Sequence, residues 1–342
     1  MKGLQKATDR LVNDMLAVQP GETVAVTCDP KTGREMTMEI AKAVHEVGAH
    51  PLIIENMPPE GDGVMKETDV PTMALAGALC EADVWIELNQ RMLLYTKPFD
   101  IALEKNKKLR YVALAETRPD VFQRTIGEVD AAQLKPLMMK MKEIIENSKT
   151  VRVETALGTN AEFELDPSHF LAVDCGDMAQ PGFHTMAGCI NIVPRFDSVN
   201  GEMVFDGTLT DQGPIPGERV HITVKNGDII SIDGTEAADW FAEYLKHFND
   251  PNMYKIAHLS IGLNPCTIFS GSTPEDERGW GVTTWGIGNV PPEDAPPYGR
   301  KAVSHCDGTS SRSTIWFDDR LIMKDGELAD EELTALAGNL RR

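Results

Sequence analysis

The chain has 342 residues, a formal net charge of −20, and 42% hydrophobic and 25% charged residues. That length allows two domains, each with a proper core. So acidic a balance leaves no basic stripe to release counterions from a phosphate backbone, which excludes nucleic acid as a partner. No apolar run approaches the roughly 20 residues of a membrane span, and the start, MKGLQKATDRLVND, lacks the short apolar run of a secretory signal. Six cysteines (Cys28, Cys80, Cys175, Cys189, Cys266, Cys306) form no CxxC and no close pair. They read as the reduced thiols of a soluble cytoplasmic protein.

In chain order, the first half alternates strand and helix patterns. ETVAVTCD (22–29), HPLIIEN (50–56), ADVWIELN (82–89) and LRYVALAE (109–116) read as strands. EMTMEIAKAVHEVG (35–48) and TMALAGALCEA (72–82) carry helical periodicity between them. Such alternation predicts a doubly wound parallel sheet with helices on both faces. TCDPKTGRE after the first strand has neither GxGxxG nor GxxxxGK[ST], so this Rossmann-like domain, placed at 1–148, carries no nucleotide fingerprint. The helix around QLKPLMMKMKEIIENSKT (133–150) reads as the hinge.

From 149 to 342 the character changes to a β-rich α+β domain. VRVETALGTNAEFELD (151–166) reads as a hairpin with GTN as its turn. Alternating segments with NG and DG turns follow, then a helix at EAADWFAEYLKHF (236–248). IAHLSIGLNP (256–265) is a strand pattern with His258 at its centre. His258 is open to two readings there, an inert hydrogen-bonded core histidine or a metal ligand. His305 and Asp307 form H-x-D at the start of a further strand, where alternate side chains share a face and can reach one cation. Two histidines and a carboxylate are the facial triad of non-haem Fe(II) oxygenases, and zinc hydrolases use a similar set. Spacing alone gives no reason to bring 258 and 305 together.

The stretches NGEMVFDG, VKNGDIISIDG, DPNMYKIAHLSIGLNP, EDERGWGVTTWGIGN, HCDG and IMKDGEL, in that order, resemble the aminopeptidase T group of metallopeptidases. The doubly wound first half agrees with that family's architecture. The metal positions depart from it. His258 stands where the peptidases carry Glu, and Thr284 where they carry His. A two-metal peptidase site needs several carboxylates and histidines; what remains is a one-metal set.

The same departures, with EAADWFAEYLKHFNDPNMYKIAHLSIGLNP and an HxD before a strand ending FDDR, are similar to the 2,5-dihydroxypyridine 5,6-dioxygenases on this scaffold. They are mononuclear non-haem iron enzymes that open a pyridine ring. By that resemblance His258, His305 and Asp307 are the ligands of Fe(II), and a hydroxylated N-heterocycle and O₂ are the substrates. Tyr95, in RMLLYTKPFD, stands where the dioxygenases carry a histidine and becomes a candidate acid or base, against a loop aromatic. His184, in QPGFHTMAGCINIVP, is a second candidate in a Gly/Pro-bounded loop. Glu277, in an acidic trio that otherwise reads as a solvated loop, is the reserve ligand if a second metal binds. Cys306 should point away from its two neighbours, and His45, His50, His169, His221 and His247 read as structural residues without partners. The family pattern implies a homo-oligomer. The alternative reading is a zinc- or cobalt-dependent hydrolase.

Overall fold

A computed structural model of the protein describes residues 2–57, 69–94, 96–338 and 340. The chain divides into two compact units, Met1–Ala131 with Gly176–Ala187, and Ala132–Cys175 with Gly188–Arg342. The division therefore falls earlier than 148, and a short excursion of the second half returns to the first unit.

In the first unit α1 (Lys2–Asp9) precedes β1 (Thr23–Cys28), α2 (Arg34–Glu46), β2 (His50–Glu55), α3 (Thr72–Cys80), β3 (Val84–Glu87), α4 (Lys97–Lys105), β4 (Arg110–Ala113) and α5 (Pro119–Phe122). β1 and β3 are buried from Val24 to Cys28 and from Val84 to Glu87 and are largely apolar, Thr27 and Glu87 excepted, as suits strands covered on both faces. On α2 the buried Met36, Ile40, Ala43 and Val44 recur at helical spacing. Gly48 then takes φ 82°, the left-handed turn that lets the chain reverse into β2.

The second unit begins with α6 (Ala131–Glu146) and the antiparallel hairpin β5 (Thr150–Glu154) and β6 (Asn160–Glu164). Its tip lies at 155–159 and not at GTN, because Asn160 already pairs with Glu154. β7 (Leu171–Asp174) follows. The chain then gives β8 (Gly182–His184) to the first unit, where it extends the parallel sheet to the order β2-β1-β3-β4-β8. Three residues are too short a run to show a period, so the sequence hides this strand inside an apparent loop.

The rest of the second unit is β9 (Cys189–Ile192), β10 (Asn200–Phe205), β11 (Thr208–Leu209), β12 (Gly213–Pro214), β13 (Val220–Lys225), β14 (Asp228–Gly234), α7 (Glu236–His247), β15 (Ile256–Gly262), α8 (Thr273–Asp276), β16 (Thr283–Val290), β17 (Arg300–Ser310), β18 (Thr314–Phe317), β19 (Arg320–Lys324), β20 (Glu327–Leu328) and α9 (Glu331–Ala337). They form two sheets, β14-β13-β10-β6-β5-β18-β19-β20 and β12-β11-β17-β16-β15-β9-β7. Among the described residues no helix is long and apolar enough to cross a membrane.

Candidate metal centre

The site is built on the three central strands of the second of those sheets. One face of β15, β16 and β17 is core: Leu259, Ile261, Trp285, Ile287 and Cys306 are all 0% exposed. Each buried Leu or Ile there contributes about 1.5–3 kcal/mol. Trp285 meets Phe163 edge-on at a ring separation of 6.0 Å. Strand alternation sends the intervening side chains to the opposite face. His258 and Ser260 on β15, Thr284 and Gly286 on β16, and His305, Asp307 and Thr309 on β17 share it.

A β-bulge at Ala257 sets the phase, since Ile256 pairs with Ile287 while His258 pairs with Gly286. The extra residue lets both Ile256 and Leu259 bury while His258 turns to the other side. Gly286 is the cross-strand neighbour of His258 on one side and of Asp307 on the other. A Cβ on Gly286 would lie 2.3 Å from His258 Nε2 and Cδ2. Glycine is therefore what allows the imidazole to lie across β16 toward β17. The H-x-D pair falls inside the 11-residue β17, not at its start. Thr210 fixes the backbone of Asp307, its Oγ1 accepting from Asp307 N at 2.8 Å and its N donating to Asp307 O at 3.0 Å.

The result is a triangle of basic atoms. His258 Nε2 lies 3.1 Å from His305 Nε2 and 3.4 Å from Asp307 Oδ1, and His305 Nε2 lies 3.3 Å from the same oxygen. The two rings stack with an interplanar angle of 12°. His305 Nδ1 lies 2.9 Å from Asn289 O, a carbonyl that can only accept, so Nδ1 carries the proton and Nε2 the lone pair. Ser260 Oγ lies 3.2 Å from His258 Nδ1. Asp307 Oδ1 is buried, and among the described residues no group besides the two imidazoles faces it. Ligand atoms about 2.0–2.2 Å from one ion, at angles of roughly 90–110°, lie about 3.0–3.4 Å apart. The three residues fit a single cation held from one side. Among the described residues theirs is the group with metal-ligand spacing.

Electrostatics agree. Burial opposes ionisation of Asp307, yet the imidazoles of His305 and His258, when protonated, hold its carboxyl far below the usual range; a cation in their place would act on it in the same sense. Burial would lower His305, but the charge and hydrogen bond of Asp307 and the Asn289 carbonyl raise it. Asp294, in the loop before β17, feels both imidazoles, although burial keeps its pKa raised. Asp294, Ser260 and Gly286 are not among the residues singled out from the sequence. Alternation counted onward from His258 would have found Ser260, whereas Gly286 is found only through the register of β15 and β16.

The remaining candidates separate clearly. Tyr95 lies outside the described residues. His184 ends β8 in the first unit, its Nε2 2.7 Å from Gln180 O. Glu277 lies outside the triad's close group but within reach of its charges: it pairs with Arg278, burial raises its pKa, and Asp307 and His258 act on it in opposite directions. Its neighbours are no solvated loop, for Glu275 and Asp276 are 0% and 1% exposed. Their buried carboxylates accept from Ile268 N, Ser270 N and Gly271 N and so hold the turn of chain that precedes α8. Cys306 is buried on the core face, where burial raises its thiol. Three histidines expected to lack partners have them: His169 with Pro194 O, His221 with Glu202 and His247 with Tyr244 O.

The family described as 2,5-dihydroxypyridine 5,6-dioxygenase matches residues 9–330. The chain belongs to that family. It is thus a member of a family of ring-cleaving dioxygenases, enzymes that take a small-molecule substrate and O₂ and whose chemistry implies a metal cofactor. The 2,5-dihydroxypyridine 5,6-dioxygenase of Pseudomonas putida is 23% identical over 274 residues, 76% of this chain and 75% of that protein. The solved structure of the Pseudomonas putida enzyme superposes with a TM-score of 0.83 at 19% identity, covering 97% of this chain and 98% of that one. The aminopeptidase T (AmpT) of Thermus thermophilus superposes with a TM-score of 0.65 at 11% identity, over 96% and 99% of the two chains. Those two likenesses establish the shared fold, aminopeptidase scaffold included.

Proposed function

We propose that this family member cleaves the ring of a hydroxylated N-heterocycle of the 2,5-dihydroxypyridine type with O₂, using one Fe(II) held by His258, His305 and Asp307. The observation that carries the reading is the triangle of Nε2, Nε2 and Oδ1 atoms at 3.1–3.4 Å, the spacing of donors around one cation. Three protein donors of this kind leave coordination positions for substrate and O₂, and bound Fe(II) supplies the electron transfer between them. Both oxygen atoms remain in the product, so no separate reductant is required. The chain's own residues do the rest. Asp307, ionised throughout the working range, offsets charge at the centre. The core face behind β16 holds the two imidazoles rigid.

His184 is, on the sequence reading, one candidate acceptor of the substrate's hydroxyl proton. Donation from its Nε2 to Gln180 O leaves Nδ1 as the accepting nitrogen. Tyr95 is the other candidate for that proton, on the resemblance alone. The reading also includes a cytoplasmic setting, in keeping with six free thiols, and a homo-oligomer.

The test is oxygen uptake by metal-stripped enzyme reloaded anaerobically with Fe(II), on a panel including 2,5-dihydroxypyridine. One O₂ consumed per substrate, lost in His258→Ala, is the expected result. No uptake, with peptide hydrolysis restored by zinc or cobalt, would overturn it in favour of the hydrolase.

A further inference from the structure

A histidine can serve as an Nε2 ligand only if its proton sits on Nδ1, and neither tautomer is fixed by the ring itself. His305 is fixed by the Asn289 carbonyl. His258 has no carbonyl in that place; its Nδ1 faces Ser260 Oγ, a hydroxyl that can donate or accept. What decides is where the Ser260 proton goes. Ser260 is 0% exposed, with Asn191 of β9 directly opposite on one side and Thr284 of β16 on the other. Thr284 Oγ1 has no partner among the described residues, whereas Ser260 Oγ donates to Asn191 Oδ1. With its one proton spent on Asn191, the hydroxyl can only accept from His258.

We infer that Asn191 and Ser260 form a positioning relay that keeps the proton of His258 on Nδ1 and so turns its Nε2 lone pair toward His305 and Asp307. This rests on the reading of His258 as a ligand. Remove the Asn191 acceptor and Ser260 is free to donate to Nδ1. The proton of His258 then moves to Nε2, where Asp307 Oδ1 at 3.4 Å accepts it and the ligand is lost. The relay lies one residue beyond the coordinating set, in the class of outer partners whose loss typically costs 10–100-fold in metal affinity.

The experiment is anaerobic titration of the full, metal-stripped chain with Co(II). It is paired with ¹⁵N spectra of histidine-labelled protein, His258 being assigned by its absence in His258→Ala. Asn191→Leu keeps Ser260 in place and should weaken Co(II) by about tenfold or more, moving the His258 proton to Nε2. Asn191→Asp keeps the acceptor oxygen and should bind at least as well as wild type. Ser260→Ala should weaken Co(II) like Asn191→Leu, and if it fails to fold, the Asn191 pair decides. Wild-type affinity in Asn191→Leu with the proton still on Nδ1 would overturn the relay while leaving His258 a ligand. Unchanged Co(II) binding in His258→Ala would instead remove the ligand assignment, and the relay with it.

Discussion

Glu87 and Asp307 are two carboxyl groups withdrawn from water on two different sheets, and they respond in opposite ways. Glu87, fully buried at the end of β3, accepts hydrogen bonds from two neutral groups, the Leu93 N–H and the Tyr111 hydroxyl, and the charge that acts on it, Glu116, is of like sign. Desolvation wins there and pushes it up to about 7. Asp307 is also desolvated, yet two imidazoles within 3.4 Å hold it far below the usual range. Burial sets the cost of a charge, and the partners decide whether the charge is kept. The first site stores a proton inside a scaffold. The second presents a permanent anion beside two lone pairs, which is what a cation requires.

The comparison can be broken most severely at Asp307. Asp307→Asn keeps the shape and removes the charge. Fe(II) binding and oxygen uptake should fall by more than about 100-fold, beyond the loss typical of an outer partner. Gly286→Ala should weaken metal by about tenfold or more without removing a ligand, since its Cβ would lie 2.3 Å from the His258 ring; unchanged affinity would show that the ring has room to move.

Glu87 sharpens the other side. Its folded pKa of about 7 stands above the ordinary glutamate value of 4.5, so between the two the native state holds a proton that the unfolded chain has released. Stability then falls as pH rises from about 4.5 to 7, by up to about 3 kcal/mol at 1.36 kcal/mol per unit. Denaturation midpoints for Glu87→Gln should lose this slope. A slope identical to wild type would show Glu87 ionised throughout. Cys306→Ala, on the core face between the two β17 ligands, should cost about 1 kcal/mol of stability and leave Fe(II) affinity unchanged.

The same contrast explains what could be read from sequence. The inner strands β1, β3 and β4 of the parallel sheet stand out because strands covered on both faces make largely apolar runs, whereas the edge strand β2 is mostly exposed and stands out by its Leu-Ile-Ile run alone. His305 and Asp307 stand out because H-x-D on a strand puts both on one face. His258 does not, for the bulge at Ala257 breaks the alternation and leaves an apolar run around a lone imidazole. β8 is too short to carry a period, and its residues arrive from the far side of the chain's division. The burial of Glu275 and Asp276 is invisible because acidic residues are assigned to solvent unless their backbone donors are known. Asn191 and Ser260 matter only once the register is fixed, since their roles depend on which strand lies opposite.

The central claim is one ion on three side chains. Metal-free protein dialysed anaerobically against Fe(II) should retain one equivalent per chain by elemental analysis, and Asp307→Asn should retain almost none. Two tightly held equivalents, or one still held by Asp307→Asn, would contradict it.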